Sequence, residues 1–228
     1  MSAQIAAEPL TRSVEDYLKA IYRLSRGTQP ASTSEIAELL GLSAPSVSGM
    51  IRRLSEQGLL EHVPYRGVQL TAAGRKIALR MVRRHRLIEA YLVEFLGYSW
   101  DTVHDEAERL EHAVSDALIE RMARALGNPR FDPHGDPIPS PDGSIDELAY
   151  TPLTDVPLGE AVEIRRVDTS ESDRLRFLEQ HGLKPGVRLT VVGRQPFQGP
   201  LMLRLGAQDQ VLGHELAQQV LCVPVEAR

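Results

Sequence analysis

The chain has 228 residues, a formal net charge of −5 and a single cysteine. One cysteine excludes an intramolecular disulfide, and no apolar run approaches the roughly 20 residues that a bilayer-spanning helix needs. The first residues also lack the charged and apolar regions of a secretory signal peptide. We therefore expect a cytoplasmic protein with no membrane contact and room for two or three small domains.

The charge is divided unevenly along the chain. Residues 40–86 contain nine Arg or Lys against two Glu, a balance of +7. Residues 87–160 contain sixteen Asp or Glu against four Arg, a balance of −12. Basic segments suit contact with phosphates and acidic ones suit binding of cations, so this division supports a nucleic-acid-binding part followed by a metal-binding part.

The first predicted helix runs from Ser13 to Arg26. Ser13 is the expected N-cap, Asp16 takes the acidic position of a capping box, and Gly27-Thr28 ends the helix. Its apolar residues recur at a spacing of three and four, which is typical of a helix that packs one face against a core.

Two short helices joined by Gly41-Leu42-Ser43 follow. The first is predicted over residues 34–40, and the second begins after Ser43 as N-cap, with Pro45 in its first turn. This is the spacing of a helix-turn-helix, whose second helix enters the DNA major groove with its N-terminal residues toward the bases.

A β-hairpin is predicted over residues 59–71, with its turn at Tyr65-Arg66-Gly67. The hairpin completes the pattern of a winged helix-turn-helix. Arg52 and Arg53 at the end of the second short helix, and Arg66 at the tip of the wing, are expected to contact phosphates more than bases.

Potential metal ligands lie at helical spacing in the acidic segment. A long helix is predicted from Thr71 to about Leu96, and another from Trp100-Asp101 to about Leu126. The second helix collects four potential ligands within an arc of about 100°: His104, Glu108, Glu111 and His112. On the first helix, His85 and Glu89 are one turn apart. A single such pair is usually only a solvated face, but two clusters behind a DNA-binding pattern favour metal binding.

The predicted second long helix also carries apolar residues away from its ligand arc. These residues are Ala107, Leu110, Val114, Ala117, Leu118 and Ile119. They leave an apolar surface for a partner helix, so the sequence favours a homodimer.

From residue 129 onward the sequence becomes rich in proline and then in short apolar runs. Residues 129–157 hold seven prolines and should form an irregular tether. Short apolar runs then predict a small β-barrel with a helix at about residues 172–180. No catalytic triad, phosphate loop or dinucleotide-binding turn stands out there, so we do not expect an enzyme.

The predicted domain boundaries are 1–75 for DNA binding, 76–128 for metal binding and dimerisation, 129–157 for the tether and 158–228 for the barrel.

With these parts in this order, the chain resembles the diphtheria toxin repressor family of metal-dependent transcriptional regulators. The most specific segments are SVEDYLKAIY, RRHRLIEAYL and VHDEAERLEH. The resemblance implies a mainly α fold with a winged helix-turn-helix, a helical dimerisation domain and a C-terminal SH3-like barrel. It also implies a homodimer that represses genes of metal homeostasis by binding double-stranded operator DNA.

The resemblance further implies the residues of the metal and DNA sites. One metal site would consist of Asp16, Glu108, Glu111 and His112. The other would consist of His85, Glu89 and His104, completed from the barrel by Glu171. Ser43 and Pro45 match base contacts of the family, and the predicted DNA-binding residues are Ser43, Pro45, Ser46, Ser48, Arg52, Arg53 and Arg66.

The family resemblance also bears on the identity of the metal. Iron-sensing members have Met and Cys where this chain has Asp16 and Glu108, whereas manganese-sensing members have carboxylates at both positions. Hard oxygen ligands suit Mn²⁺, which we predict as the cofactor, with other divalent transition metals able to substitute in vitro. Two departures complicate the transfer: Lys19 stands where the manganese branch has a second carboxylate, and Arg174 replaces an amide ligand of the iron branch.

Three alternatives stay open at this point. Carboxylate and imidazole ligands also suit Fe²⁺, so an iron-responsive repressor of the same fold is the first. A helical-bundle metalloenzyme is the second, although the chain lacks the Glu-x-x-His motif of such bundles. The third is a constitutive DNA-binding protein whose metals are structural. Operator binding measured with and without each metal separates all three.

Overall fold

The computed structural model describes residues 11–25, 29–146 and 148–225. Helices predominate as far as residue 125, and an antiparallel sheet predominates after it, which confirms the predicted fold class. Within the described ranges, no helix combines the length and the apolar character needed to cross a membrane.

The chain divides into two compact units. The first comprises the chain up to Arg84 together with Pro139–Ile145, and the second comprises His85–Ile138 and the chain from Asp146 onward. The boundary falls within a continuous 25-residue helix, which belongs to the first unit in its N-terminal half and to the second unit in its C-terminal half.

The first unit is a winged helix-turn-helix. Its elements are α1 (Arg12–Leu24), α2 (Thr33–Leu40), α3 (Ala44–Glu56), β1 (Leu60–Val63), β2 (Gly67–Leu70) and the beginning of α4 (Ala72–Leu96). Ser32 and Glu35 form a capping box at α2, and Gly41 ends that helix in the left-handed conformation. The Ser43 side chain accepts from the N–H of Ser46 and caps α3 as predicted. The predicted helix-turn-helix and wing are confirmed.

The start of α1 differs from the prediction. The N-cap is Thr11 and not Ser13, and no side chain caps the helix. The Thr11 carbonyl accepts from the N–H groups of Val14 and Glu15, so Ser13 already lies in the first turn. Asp16 is consequently not a capping-box residue, and its carboxylate lies 3.9 Å from the Arg12 guanidinium. The predicted end at residues 26–28 falls outside the described residues.

The predicted helix over residues 100–126 is wrong as a single element. The second unit has α5 (Val103–Leu110) and α6 (Asp116–Ala125), separated by a turn. The break occurs because the Ser115 hydroxyl accepts from the N–H of Leu118 and starts a new helix. Together with α4, both helices enclose an apolar cluster that includes Ile119.

The C-terminal part of the second unit is a six-stranded antiparallel sheet. Its strands are β3 (Thr151–Pro152), β4 (Ala161–Val167), β5 (Arg188–Arg194), β6 (Leu201–Leu205), β7 (Gln208–Leu212) and β8 (Val220–Pro224). They follow the order β3-β8-β4-β5-β6-β7. The predicted helix is α7 (Ser172–Gln180), while a 3₁₀ turn at Leu153–Asp155 and α8 (His214–Gln218) were not predicted. Trp100 belongs to the apolar cluster of this sheet.

Candidate metal centre and DNA interface

Six predicted ligands of the second unit lie on α4, on α5 and in the turn after α5. His85 and Glu89 are one turn apart on α4, and α5 carries His104 and Glu108. Although α5 ends at Leu110, the next residue keeps helical angles, with φ −57° and ψ −30°. The predicted arc through Glu111 and His112 therefore survives the break in the helix.

His85 is the centre of the first ligand group. Its Nδ1 lies 2.7 Å from Glu111 Oε2, and its Nε2 lies 2.9 Å from Glu89 Oε1. His85, His104 and Glu108 can each present a ligand atom within 4.8 Å of the others. Imidazole nitrogens and carboxylate oxygens in this arrangement can hold a divalent transition metal.

The charges of this group are buried. The exposed fraction is 2% for Glu89 and 0% for Glu111. Buried carboxylates are expensive unless a cation or hydrogen-bond donors accompany them. Both nitrogens of His85 lie within hydrogen-bond distance of carboxylate oxygens, and Nε2 also lies 3.0 Å from His104 Nδ1. A metal ion held by these side chains would supply the positive charge that the two carboxylates require.

A second ligand group was missed by the sequence analysis. Glu89, Asp132 and His134 can also each present a ligand atom within 4.8 Å of the others. Asp132 and His134 are buried, with exposed fractions of 8% and 6%. They belong to the proline-rich segment, where the Asp-Pro-His triplet was the available signal.

The orientation of His134 favours a ligand role. Its Nε2 lies 2.7 Å from the Trp100 carbonyl oxygen, which can only accept, so Nε2 carries the proton. The other nitrogen, Nδ1, is directed toward Glu89 Oε2 at 3.9 Å. Metal-binding histidines usually donate their second N–H in this way, because the hydrogen bond fixes the ring and its tautomer.

Glu89 serves both groups. Its Oε1 lies 3.1 Å from His104 Nδ1 on one side, and its Oε2 faces His134 on the other. Burial opposes ionisation of Glu89, but the charge on His85 and hydrogen bonds from His104 and His85 lower its pKa well below the usual value. Glu89 therefore presents a charged carboxylate to both groups.

The pKa of Asp132 is shifted in the opposite direction to that of Glu89. Burial, followed by the charges on Asp136 and Glu89, raises its pKa well above the usual value, although Arg86 opposes this. One Asp132 oxygen accepts from the N–H groups of His134 and Asp136, each at 2.9 Å. The other oxygen, Oδ2, lies 3.6 Å from the Nε atom of Arg86, so the carboxyl group is held between these N–H groups and a largely buried guanidinium.

Two predicted ligands lie outside α4, α5 and the turn after α5. Asp16 lies on α1 in the first unit, and its role stays a prediction. Glu171 is the N-cap residue of α7, with a side chain 63% exposed. Its carboxylate accepts from Arg174 at 2.8 Å, and Arg174 also donates to Glu215. Neither ligand group that the described residues of the second unit form includes Glu171.

The predicted DNA-binding residues lie on the solvent side of the first unit. Helix α3 buries Val47, Ile51 and Leu54 against the core. All the predicted DNA-binding residues are exposed, both those at and after the start of α3 and the one on the wing: Ser43, Pro45, Ser46, Ser48, Arg52, Arg53 and Arg66. The arrangement leaves one face of α3 available for the major groove.

Three family models match consecutive parts of the chain. The N-terminal DNA binding domain of iron dependent repressors matches residues 9–68. Their metal binding and dimerisation domain matches residues 71–140, and the FeoA domain matches residues 151–224.

Relatives match over nearly the whole length. The iron-dependent repressor IdeR of Mycobacterium tuberculosis H37Rv is 34% identical over 223 residues, which is 92% of this chain and 96% of that protein. A solved manganese-dependent transcriptional repressor in complex with manganese is 41% identical, with a TM-score of 0.87 over 93% of this chain and 100% of that one. ScaR with bound Cd²⁺ is 34% identical, with a TM-score of 0.81 over 93% and 99%.

Sequence, fold and matched domains agree from the DNA-binding unit to the barrel. The chain therefore belongs to the iron-dependent repressor family, the diphtheria toxin repressor family that its sequence resembles, whose members are metal-dependent DNA-binding repressors and not enzymes.

Proposed function

We propose that this repressor is activated by Mn²⁺ and acts as a homodimer on operator DNA of metal-homeostasis genes. The observation that carries the choice of metal is the donor set, because both ligand groups of the second unit offer only imidazole nitrogens and carboxylate oxygens. The single cysteine, Cys222, is buried in the barrel core, where burial raises its pKa to about 12. Hard donors without a thiolate suit Mn²⁺.

The proposed ligands fall into two sites. The first site consists of Asp16, Glu108, Glu111 and His112. The support for including Asp16 is the family resemblance. His85, Glu89 and His104 form the second. We propose that Asp132 and His134 supply its remaining ligands in place of Glu171, because they are buried beside Glu89 whereas Glu171 is exposed and paired with Arg174.

The second candidate for the activating ion is Fe²⁺. The relatives named iron-dependent repressors favour it, and so does the general affinity order, in which Fe²⁺ binds more tightly than Mn²⁺. Fluorescence anisotropy titrations of operator DNA with each metal under anaerobic conditions distinguish the two ions. We expect activation at lower free Mn²⁺ than free Fe²⁺, and the reverse order would assign the protein to iron.

Replacing Glu108 by Cys is expected to move the metal response toward softer ions. The substitution puts a thiolate in place of a hard oxygen, which should raise the ratio of Mn²⁺ to Fe²⁺ activating concentrations by about tenfold. Glu106→Cys on the same helix is the control, since Glu106 pairs with Arg109. A ratio that is unchanged in Glu108→Cys, or equally changed in the control, would place selectivity elsewhere.

The proposed dimer surface is narrower than the sequence indicated. Ala107 and Ile119 are 0% and 2% exposed, so they already belong to the core of the chain itself. Leu118 on α6 and Phe95 and Leu96 at the end of α4 stay 44%, 50% and 60% exposed. Apolar side chains of this size on two helices are available to a partner chain.

Leu118→Glu should therefore shift the protein from dimer to monomer. A charge in an apolar interface costs several kcal/mol, enough to dissociate a dimer at micromolar concentration. Sedimentation velocity measures the change. Leu158→Glu is the control, because Leu158 is 59% exposed on a turn in the barrel. A Leu118→Glu dimer as stable as the wild type would remove α6 from the interface.

A further inference from the structure

Tyr65, at the tip of the wing, has a backbone conformation that tyrosine rarely adopts. Its φ is +63°. Pro64 precedes it, and the N–H of Arg66 donates to the Val63 carbonyl at 3.0 Å, as in a type II turn. The third position of that turn requires a positive φ and normally holds Gly or Asn, so tyrosine there costs folding stability.

Among the residues that the structure describes, the Tyr65 side chain has no packing contacts that would offset this cost in stability. The Tyr65 side chain has a relative exposure of 108%, so its ring is in solvent. A strained backbone that presents a fully exposed aromatic side chain points to a role in binding and not in folding.

The wing holds this side chain at a defined place. Ala31 and Val68 exchange two backbone hydrogen bonds of 2.9 Å, which fix the base of the hairpin. A Cβ on Gly67 would lie 2.1 Å from the Ala31 carbonyl oxygen, so only glycine permits this close approach. The base is anchored while the tip, with Tyr65 and the exposed Arg66, projects into solvent.

We propose that the Tyr65 ring enters the minor groove of operator DNA beside the major-groove contact of α3. This inference rests on the proposed DNA-binding function. The balance of +7 over residues 40–86 makes DNA the complementary partner for this surface. The apolar faces of the ring can pack against the sugars that line the groove, as apolar wedges of minor-groove proteins do. A narrow A·T-rich groove fits best, and its strong negative potential attracts Arg66.

The test compares variants of the full chain loaded with Mn²⁺. The probe is a duplex recovered by selection from a random-sequence library with the wild-type protein. Tyr65→Asn should bind it about tenfold more weakly, within the range for loss of an aromatic contact to nucleic acid. Its melting temperature should not fall, because Asn tolerates a positive φ. Tyr65→Phe should keep most of the affinity.

Phe197 provides a matched control. It is also an aromatic residue with a positive φ, +58°, and a relative exposure of 100%, but it lies on the hairpin between β5 and β6. Phe197→Asn should leave DNA affinity unchanged. An equal loss in this control, or a loss in Tyr65→Phe as large as in Tyr65→Asn, would overturn the proposal.

Base-pair substitution in the duplex locates the contact. An inosine·cytosine pair resembles A·T in the minor groove and G·C in the major groove, since inosine lacks the 2-amino group. At the wing position, the wild type should tolerate inosine·cytosine but lose affinity for G·C, and Tyr65→Asn should not distinguish them. Arg66→Ala should instead lower the salt slope by about one unit.

The outcomes separate this inference from the function on which it depends. If the metal-loaded wild type binds no duplex, both fail. If the wild type binds and Tyr65→Asn binds equally well, or if Tyr65→Asn still distinguishes G·C from inosine·cytosine, the wing-tip contact alone is refuted.

Discussion

Replacing Glu89 by Gln is expected to weaken metal activation of DNA binding strongly while leaving the protein folded. The Glu89 carboxylate is 2% exposed and directs one oxygen to His85 and His104 and the other to His134. Gln has the same shape but no charge, so both ligand groups lose an anionic oxygen. We expect the Mn²⁺ concentration needed for DNA binding to rise by at least about a hundredfold, as for loss of a charged metal ligand.

Circular dichroism and anisotropy titration together test this prediction. Glu94→Gln is the control, because Glu94 lies five residues further along α4 and is exposed. It removes the same charge from the same helix without touching the ligand groups. A folded Glu89→Gln protein with the wild-type Mn²⁺ response would rule out Glu89 as a ligand.

Replacing His134 by Gln is expected to remove one bound Mn²⁺ ion from each chain. Gln can still donate to the Trp100 carbonyl, but it lacks the nitrogen that faces Glu89. The chain has one tryptophan, whose ring stacks on His134 with centroids 5.8 Å apart and planes at 21°. Bound Mn²⁺ should therefore change the Trp100 emission in the wild type, and this response should be lost in the variant.

The variant Glu171→Gln tests whether Glu171, as the family resemblance implied, is a metal ligand in place of His134. Glu171 is exposed and paired with Arg174, so this variant should keep both the bound-metal count and the Trp100 response. Equilibrium dialysis gives the count. Loss of an ion in Glu171→Gln, with retention in His134→Gln, would return the ligand role to the barrel.

The features predicted correctly from the sequence depend on local chemistry. Ser43 caps α3, and Gly41 ends α2, because each role needs only neighbouring backbone groups. The ligand pair His85 and Glu89 follows in the same way from one turn of helix. Local rules of this kind are visible in a single sequence.

The errors arose where several local signals competed. Thr11, and not Ser13, precedes α1, and either residue type is an acceptable N-cap. Ser115 starts a new helix inside a segment whose apolar and acidic periodicity continues across it. Periodicity alone does not reveal such a break, because Glu111 keeps helical angles beyond the end of α5.

The second ligand group could not be predicted from local pattern. Asp132 and Glu89 are 43 positions apart in the sequence, and a segment rich in proline is typical of a solvated tether. The segment is instead fixed by long-range contacts, among them the hydrogen bond from Arg86 to Asp136 at 2.8 Å and that of His134 to Trp100. Only the tertiary structure brings these side chains to Glu89.

The central claim is that a divalent metal, which we propose is Mn²⁺, switches this protein into its DNA-binding form. Coupling of about 1–3 kcal/mol is typical of such switches and corresponds to a 5–150-fold change in affinity. The most direct test is an anisotropy titration of one selected duplex with the metal-free and the Mn²⁺-loaded wild-type protein at equal salt. We predict binding that is tighter by a factor in that range with Mn²⁺ and is reversed by a chelator. Equal affinity in both forms would contradict the account and make the protein a constitutive DNA-binding factor.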